Sequence, residues 1–262
     1  MSAPPDQSPV ASRIRRVLLT GAGAESLIPA MEQAGLEAVA EPSRAQVAVT
    51  YGGDGSLLGA DRDYPLIPKL AIRRNGEFNK CPRHQDEVVL RRLAAGELQV
   101  TRLPRLTAWL RGRSIQGIND IVFHNTKVTS GVRYRVRIDG EQYAEEIVGD
   151  GIVMATPFGS SAYYRSITKS VFRVGMGLAF NNSTEAVNHL VLKECSEVEI
   201  LVTRGPGVLV ADNMLECVHV EAGDAITIRM GTSSAEILEL DTLLCRDCRI
   251  AATGVAAGFR HV

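Results

Sequence analysis

At Gly96 the hydrophobic period of this 262-residue chain changes from helical to alternating, and few two-part folds accommodate such a change. Upstream, Val88, Val89, Leu90, Leu93 and Ala94 recur on one helical face between His84 and Ala95, with Gly96 as the stop. Short apolar runs at residues 17–20, 46–50 and 69–72 read as buried strands; an apolar helix ending at Gly35 follows the first, and a short helix could start over 57–60. The order strand, helix, strand, loop, strand, helix predicts a small doubly wound α/β N-terminal domain. Downstream, residues 98–110, 133–138, 197–203, 207–211, 217–220, 225–230 and 236–240 alternate as strands between turns such as Asp139-Gly140 and Arg204-Gly-Pro-Gly207. The expected fold class is therefore α/β plus mostly-β, the second domain being β-rich and β-sandwich-like. The expected boundaries are a disordered Pro- and Ser-rich arm over 1–12, the α/β domain over 13–98, completed by 242–262, and the β-rich domain over 99–241.

A net charge of -1 provides no global basic field, which argues against nucleic acid as a partner and for small molecules or like subunits. Five scattered cysteines, an odd number, argue against a disulfide framework and for a reducing compartment. No stretch approaches the roughly 18 apolar residues that span a bilayer. The expected location is cytoplasmic, with no membrane association.

The stretch Tyr51-Gly-Gly-Asp-Gly-Ser-Leu-Leu-Gly-Ala60 follows the second apolar run, so its glycines fall at the carboxyl end of a strand, where open α/β sheets place ligands. Gly52, Gly53 and Gly55 are expected to supply positive φ and to clear side chains from between backbone N–H groups and a phosphate. Asp54, the one carboxylate inside the loop, is a poor phosphate ligand and a suitable base or metal ligand, which points to phosphoryl transfer. A glycine-rich β-turn stabilised by its Asp is the other reading. An earlier loop, Gly21-Ala-Gly-Ala-Glu-Ser26, imperfectly echoes a dinucleotide fingerprint, and strand-to-helix turn chemistry accounts for it. Arg73-Arg-Asn-Gly-Glu-Phe78 reads either as a border of the Asp54 cleft or as a solvated loop.

Two polar clusters interrupt the β pattern. Asn119-Asp120 sits between apolar residues, where an amide and a carboxylate need hydrogen-bond partners; a ligand with vicinal hydroxyls or an Asx turn would supply them. Gly149-Asp150-Gly151 leads into an apolar strand that ends in Thr156-Pro-Phe-Gly-Ser-Ser-Ala-Tyr163, whose hydroxyls and N–H groups are expected to face an anion at a helix start.

With these residues in view, the chain resembles the NAD kinases. Gly52-Gly-Asp-Gly55, Asn119-Asp120, and Gly149-Asp-Gly151 followed by Thr156 to Tyr163 are similar to that family's three signature segments, in order and at compatible spacing. Ala211-Asp-Asn213 and the segment 221–228 are similar to its closing β segments, so the resemblance runs from about residue 47 to 230. It implies phosphoryl transfer from ATP, another nucleoside triphosphate or polyphosphate, with Mg²⁺, to the 2′-hydroxyl of the adenosine ribose of NAD. By the same resemblance Asp54 is the general base, and Gly53 and Gly55 belong to the dinucleotide-contacting loop. Asn119 and Asp120 hold adenosine-side groups, and Asp150 contacts the dinucleotide. Thr156, Ser161, Ala162, Tyr163 and Ser166 belong to its pocket, part of which often comes from a neighbouring subunit of a homo-oligomer, a dimer or tetramer. The chain departs from the family at Ser56 and Ser161, where Thr is usual, at 71–78, at Val148 and at 188–190. Two alternatives stand beside this reading: a catalytically weak NAD-binding regulatory protein, and a different small-molecule kinase of the same superfamily.

Cys245-Arg-Asp-Cys248 has CxxC spacing without a second pair nearby, so a zinc site would need residues from elsewhere and two reduced thiols are expected. The histidines at 84, 124, 189, 219 and 261 form no metal pattern in the linear sequence.

Overall fold

The computed structural model describes residues 8–9, 13–74 and 80–248. The described residues form two compact units, one holding those up to Leu103 and Ala235–Cys248, the other holding Pro104–Ser234.

In the first unit, β1 (Ser8–Pro9) pairs antiparallel with Gln99 and Val100; the remainder of the expected N-terminal arm lies outside the described residues. Strands β2 (Arg16–Thr20), β3 (Glu37–Ala38), β4 (Val47–Tyr51) and β5 (Lys69–Ile72) form a parallel sheet in the order β3-β2-β4-β5. Every residue of β4 and β5 is buried, as strands covered on both faces require. Helices α1 (Ile28–Gln33), α2 (Asp54–Asp63) and α3 (Asp86–Ala95) join them, and Met31, Leu90 and Leu93 pack with Val17, Val49 and Leu70 in the core. Gly96 (φ 74°) ends α3 in the left-handed conformation its position predicts. The one charged residue in β5, Lys69, is fully buried and pairs with Asp61 of α2 at 2.5 Å. At Gly21 (φ 100°) a Cβ would lie 2.3 Å from the Tyr51 carbonyl oxygen, so this glycine lets its loop approach the end of β4.

The second unit is a β-sandwich. Its strands are most of β6 (Gln99–Leu110), then β7 (Arg113–Gly117), β8 (Asp120–Asn125), β9 (Val132–Ile138), β10 (Glu141–Gly149), β11 (Gly151–Ala155), β12 (Met176–Asn181), β13 (Leu190–Leu192), β14 (Glu197–Arg204), β15 (Gly207–Ala211), β16 (Val218–Val220) and the first part of β17 (Ala225–Leu238). One antiparallel sheet runs β13-β12-β11-β8-β15-β16, and β10-β9-β14-β17 forms another. Phe123, Ile152 and Leu209 of the former pack with Tyr134, Val136, Ile200 and Ile226 of the latter. A six-residue helix, α4 (Tyr163–Thr168), follows β11, and α5 (Asp241–Leu244) follows β17 in the first unit.

Two expectations about strands change. Residues 225–230 and 236–238 belong to one 14-residue strand, because Thr232, Ser233 and Ser234 are exposed and need no apolar side chain to remain extended, while Glu239 and Leu240 lie past its end in a turn. Strands β10 and β12 were not anticipated. The first carries Glu141, Gln142, Glu145 and Glu146 on an exposed stretch, and the second is apolar and buried without alternation. Among the described residues no helix is long and apolar enough to cross a membrane.

Candidate active site

Asp54 opens α2 directly after Gly53, which is the extended N-cap residue (φ -97°, ψ -165°). A carboxylate in the first turn lies in the positive end of the helix dipole. Its side chain is 67% exposed, and Oδ1 lies 3.6 Å from the Arg73 guanidinium. Of the three loop glycines only Gly52 has positive φ (148°), which corrects the expectation for the set. A Cβ on Gly52 would lie 2.3 Å from Ser56 Oγ, while one on Gly55 would meet nothing within 4 Å. Gly52 thus serves the turn, and Gly55 leaves open space over the first turn of α2. Arg73 also donates to the Leu243 carbonyl at 2.8 Å, while 75–79 of the neighbouring loop lie outside the described residues.

In the second unit β8 lies between β11 and β15, both antiparallel to it, so the start of β8 meets the ends of its two neighbours. Asp212, just past β15 and in the left-handed conformation (φ 48°), accepts hydrogen bonds from the backbone N–H groups of Ile118 (2.8 Å), Asn119 (2.8 Å) and Asp120 (3.0 Å). Gly117 makes room for it, because a Cβ there would lie 2.7 Å from Asp212 Oδ1. From the other side Thr156, just past β11, donates its hydroxyl to the Ile118 carbonyl (2.6 Å) and its N–H to the Asn119 carbonyl (3.0 Å). Asn119 Nδ2 donates to Asp120 Oδ2 at 3.1 Å. Asp120 is 6% exposed, and burial, then the Asp212 carboxylate, pushes its carboxyl up to about 7 against the pull of Asn119. Asp212 escaped the sequence reading as a site residue; its only signal was the Ala211-Asp-Asn213 segment.

At the other end of β11, Asp150 accepts from Asn125 Nδ2 (3.2 Å) and Asn182 Nδ2 (2.7 Å). Gly151 (φ 134°) is required there, since a Cβ would lie 1.9 Å from the Phe123 carbonyl oxygen, and the buried Tyr134 hydroxyl donates to the Gly151 carbonyl at 3.0 Å. Asn181 donates to the Tyr163 hydroxyl (2.9 Å) and lies 3.3 Å from His124 Nε2. Burial, followed by Asp150 and Asp120, raises the Tyr163 phenol, so it stays protonated at neutral pH. Tyr163 therefore senses both carboxylates.

The Thr156 to Tyr163 turn is built differently from the expected anion cradle. Thr156 and Ser160 are buried, and their hydroxyls hold the turn, with Gly159 N–H donating to Thr156 Oγ1 (3.1 Å) and Ser160 Oγ lying 2.8 Å from the Pro157 carbonyl. Gly159 packs on Asn119, where a Cβ would lie 1.9 Å from the carbonyl oxygen. Ser161, Ala162 and Ser166 are exposed, and the Ser166 hydroxyl donates to the Tyr163 carbonyl at 2.7 Å. His189 lies edge-on to Tyr164, 3.3 Å from Ser170 Oγ, and Val148 N–H donates to Glu185 at 2.7 Å.

Residues 118–240 match the family model of the ATP-NAD kinase C-terminal domain. An NAD kinase of Halorubrum lacusprofundi is 28% identical over 206 residues, covering 73% of this chain and 74% of that protein. An NAD kinase of Pseudomonas fluorescens is 36% identical over 126 residues, covering 45% of this chain and 42% of its own. Over these stretches the chain is similar to small-molecule phosphotransferases, the NAD kinases. Yeast NADH kinase complexed with NADH shares the fold with a TM-score of 0.77 at 17% identity, over 96% of this chain and 91% of its own. The Archaeoglobus fulgidus NAD kinase in complex with ATP does so with a TM-score of 0.70 at 19% identity, over 94% and 100%.

Proposed function

We propose that this enzyme transfers the γ-phosphoryl group of ATP, of another nucleoside triphosphate, or a phosphoryl group of polyphosphate, to the 2′-hydroxyl of the adenosine ribose of NAD, giving NADP. The observation that carries this reading is the exposed Asp54 carboxylate at the first turn of α2, behind a glycine loop and beside Arg73. In the reaction Asp54 takes the hydroxyl proton as the 2′-oxygen bonds to the γ-phosphorus. The bond from that phosphorus to the β–γ bridging oxygen breaks, and ADP leaves with the electron pair. Arg73 offers positive charge to the transferring group, and Gly55 leaves room for it. Mg²⁺, when bound, would neutralise the donor's phosphates, leaving the Asp54 carboxylate for the proton.

In the second unit Asn119 and Asp120 hold the adenosine-side hydroxyl and base groups, while Asp150 and Tyr163 hold the farther part of the dinucleotide. These clusters lie at the two ends of the five-residue β11, about 17 Å of strand, which suits a ligand with hydroxyl-bearing groups at both ends. Ser161, Ala162 and Ser166 line the pocket, and Thr156 positions Asn119. The wider reading is a cytoplasmic homo-oligomer, a dimer or tetramer, in which a neighbouring subunit completes the dinucleotide pocket.

Incubation with NAD, Mg²⁺ and ATP, GTP or polyphosphate is expected to yield NADP. Binding of NAD without product from any donor would reject the kinase and leave the regulatory protein.

Asp120 gives a pH test. A carboxyl whose native value is raised makes stability fall as pH rises from the ordinary carboxylate range to about 7, since the unfolded chain releases its proton first. Asp120→Asn is therefore expected to raise the melting temperature at pH 8 and leave it nearly unchanged at pH 4. The same substitution should weaken NAD binding and flatten the rise in wild-type affinity through pH 7, measured by calorimetry. An unchanged melting temperature at pH 8 would show that Asp120 carries no such burden.

A further inference from the structure

Four buried side chains that phosphoryl transfer does not use converge in the first unit. Cys81, His84, Cys245 and Cys248 each present one ligand atom, and these atoms all lie within 4.8 Å of one another. Cys81 Sγ is 3.4 Å from His84 Nδ1 and 3.9 Å from Cys245 Sγ, and His84 Nδ1 is 3.3 Å from Cys248 Sγ. Tetrahedral zinc, with bonds of about 2.3 Å to sulfur and about 2.0 Å to nitrogen, sets its ligand atoms roughly 3.5–3.8 Å apart. The separations of 3.3, 3.4 and 3.9 Å straddle that range. A disulfide would need sulfurs at about 2.05 Å, so the 3.9 Å pair is not one.

The sequence spacing agrees with the geometry. Cys81-Pro-Arg-His84 and Cys245-Arg-Asp-Cys248 are two Cys-x-x-ligand pairs, and the second pair that Cys245–Cys248 lacks nearby comes from far upstream. The surroundings suit thiolates. Cys81 N–H donates to Cys248 Sγ at 3.3 Å, and the Arg83 guanidinium reaches Cys245 Sγ at 3.9 Å. His84 Nε2 is buried with no hydrogen-bond partner and lies 3.7 Å from Asp241 Oδ2, the carboxylate that would orient a metal-bound imidazole.

We propose that Cys81, His84, Cys245 and Cys248 form a structural zinc site. Three thiolates and one imidazole select a borderline-soft divalent ion, and four protein ligands leave no position for substrate. The ion ties residues 81–84 to residues 245–248. Two residues before Cys245, the Leu243 carbonyl holds Arg73 at 2.8 Å, and Arg73 faces Asp54. Zinc thus anchors the segment whose Leu243 carbonyl holds Arg73; the bearing of this on catalysis rests on Asp54 being the base, whereas the site itself does not.

The test is the metal content of the full-length chain, purified without chelator and measured by plasma mass spectrometry. About one zinc per chain is expected. Cys245→Ser and Cys248→Ser should lose it, and Cys195→Ser and Cys217→Ser, at exposed cysteines, should keep it. Protein produced with cobalt should show a thiolate-to-cobalt charge-transfer band and tetrahedral d–d bands. Folded wild-type protein with only trace zinc and no cobalt–thiolate band would overturn the proposal even if the variants fail to fold. So would full zinc retention in the Cys245→Ser/Cys248→Ser double variant. NADP formation measured in parallel separates the two readings: zinc without NADP sinks the kinase reading alone, and NADP without zinc sinks the metal site alone.

Discussion

Asp54→Asn is expected to lower NADP formation by roughly 10²–10⁴-fold, the usual contribution of a positioned general base, with NAD affinity nearly unchanged. Asn is isosteric and can still accept a hydrogen bond, but it cannot take the hydroxyl proton. Replacing an acidic residue in the first turn of α2 removes only about 0.3–1 kcal/mol of dipole interaction, so the variant should fold. A steady-state assay coupled to an NADP-specific dehydrogenase, with calorimetric NAD titration, separates turnover from binding. Turnover within a few-fold of wild type would remove Asp54 from the role of base.

Asp212→Ala should be the most damaging change in the second unit. One carboxylate accepts from three consecutive backbone N–H groups, and its loss strips the acceptor from all three. At roughly 1–3 kcal/mol for each poorly satisfied buried donor, with partial relaxation, a loss of about 3–5 kcal/mol is expected. The turn that presents Asn119 and Asp120 would then no longer be held, so NAD binding should fall with stability. Asp212→Asn, which retains an acceptor oxygen, should fall between the two. It should also move the Asp120 carboxyl down towards its ordinary range, because the neighbouring charge is gone. Denaturant melts and NAD titrations of both variants provide the check; a wild-type melt for Asp212→Ala would show that the turn stands without it.

Much of the fold was legible locally. Buried parallel strands are continuous apolar runs, so β4 and β5 stood out, and Gly96 announced the end of α3. The sandwich was legible wherever strands alternate, as over Val132–Ile138, and illegible where polar or uniformly apolar strands such as β10 and β12 break the period. Glycines were located correctly but explained incompletely. Gly151 and Gly159 are dictated by carbonyl oxygens 1.9 Å from where a Cβ would sit, contacts made by residues distant in the chain.

Composition, period and motif order were enough to establish an α/β unit followed by a β-rich one, and to bring Asp54, Asn119, Asp120, Asp150 and Tyr163 forward, because each stands in a short segment whose chemistry is unusual by itself. The partners of those residues depended on long-range pairing. Asp212 reaches the amides of residues 118–120 only because β15 pairs with β8, and His84 meets Cys248, 164 positions further on, only because the chain folds back. An acceptor for a backbone N–H, or a fourth ligand for a metal, need satisfy only distance and angle. Linear sequence encodes neither for residues so far apart, and close packing supplies both.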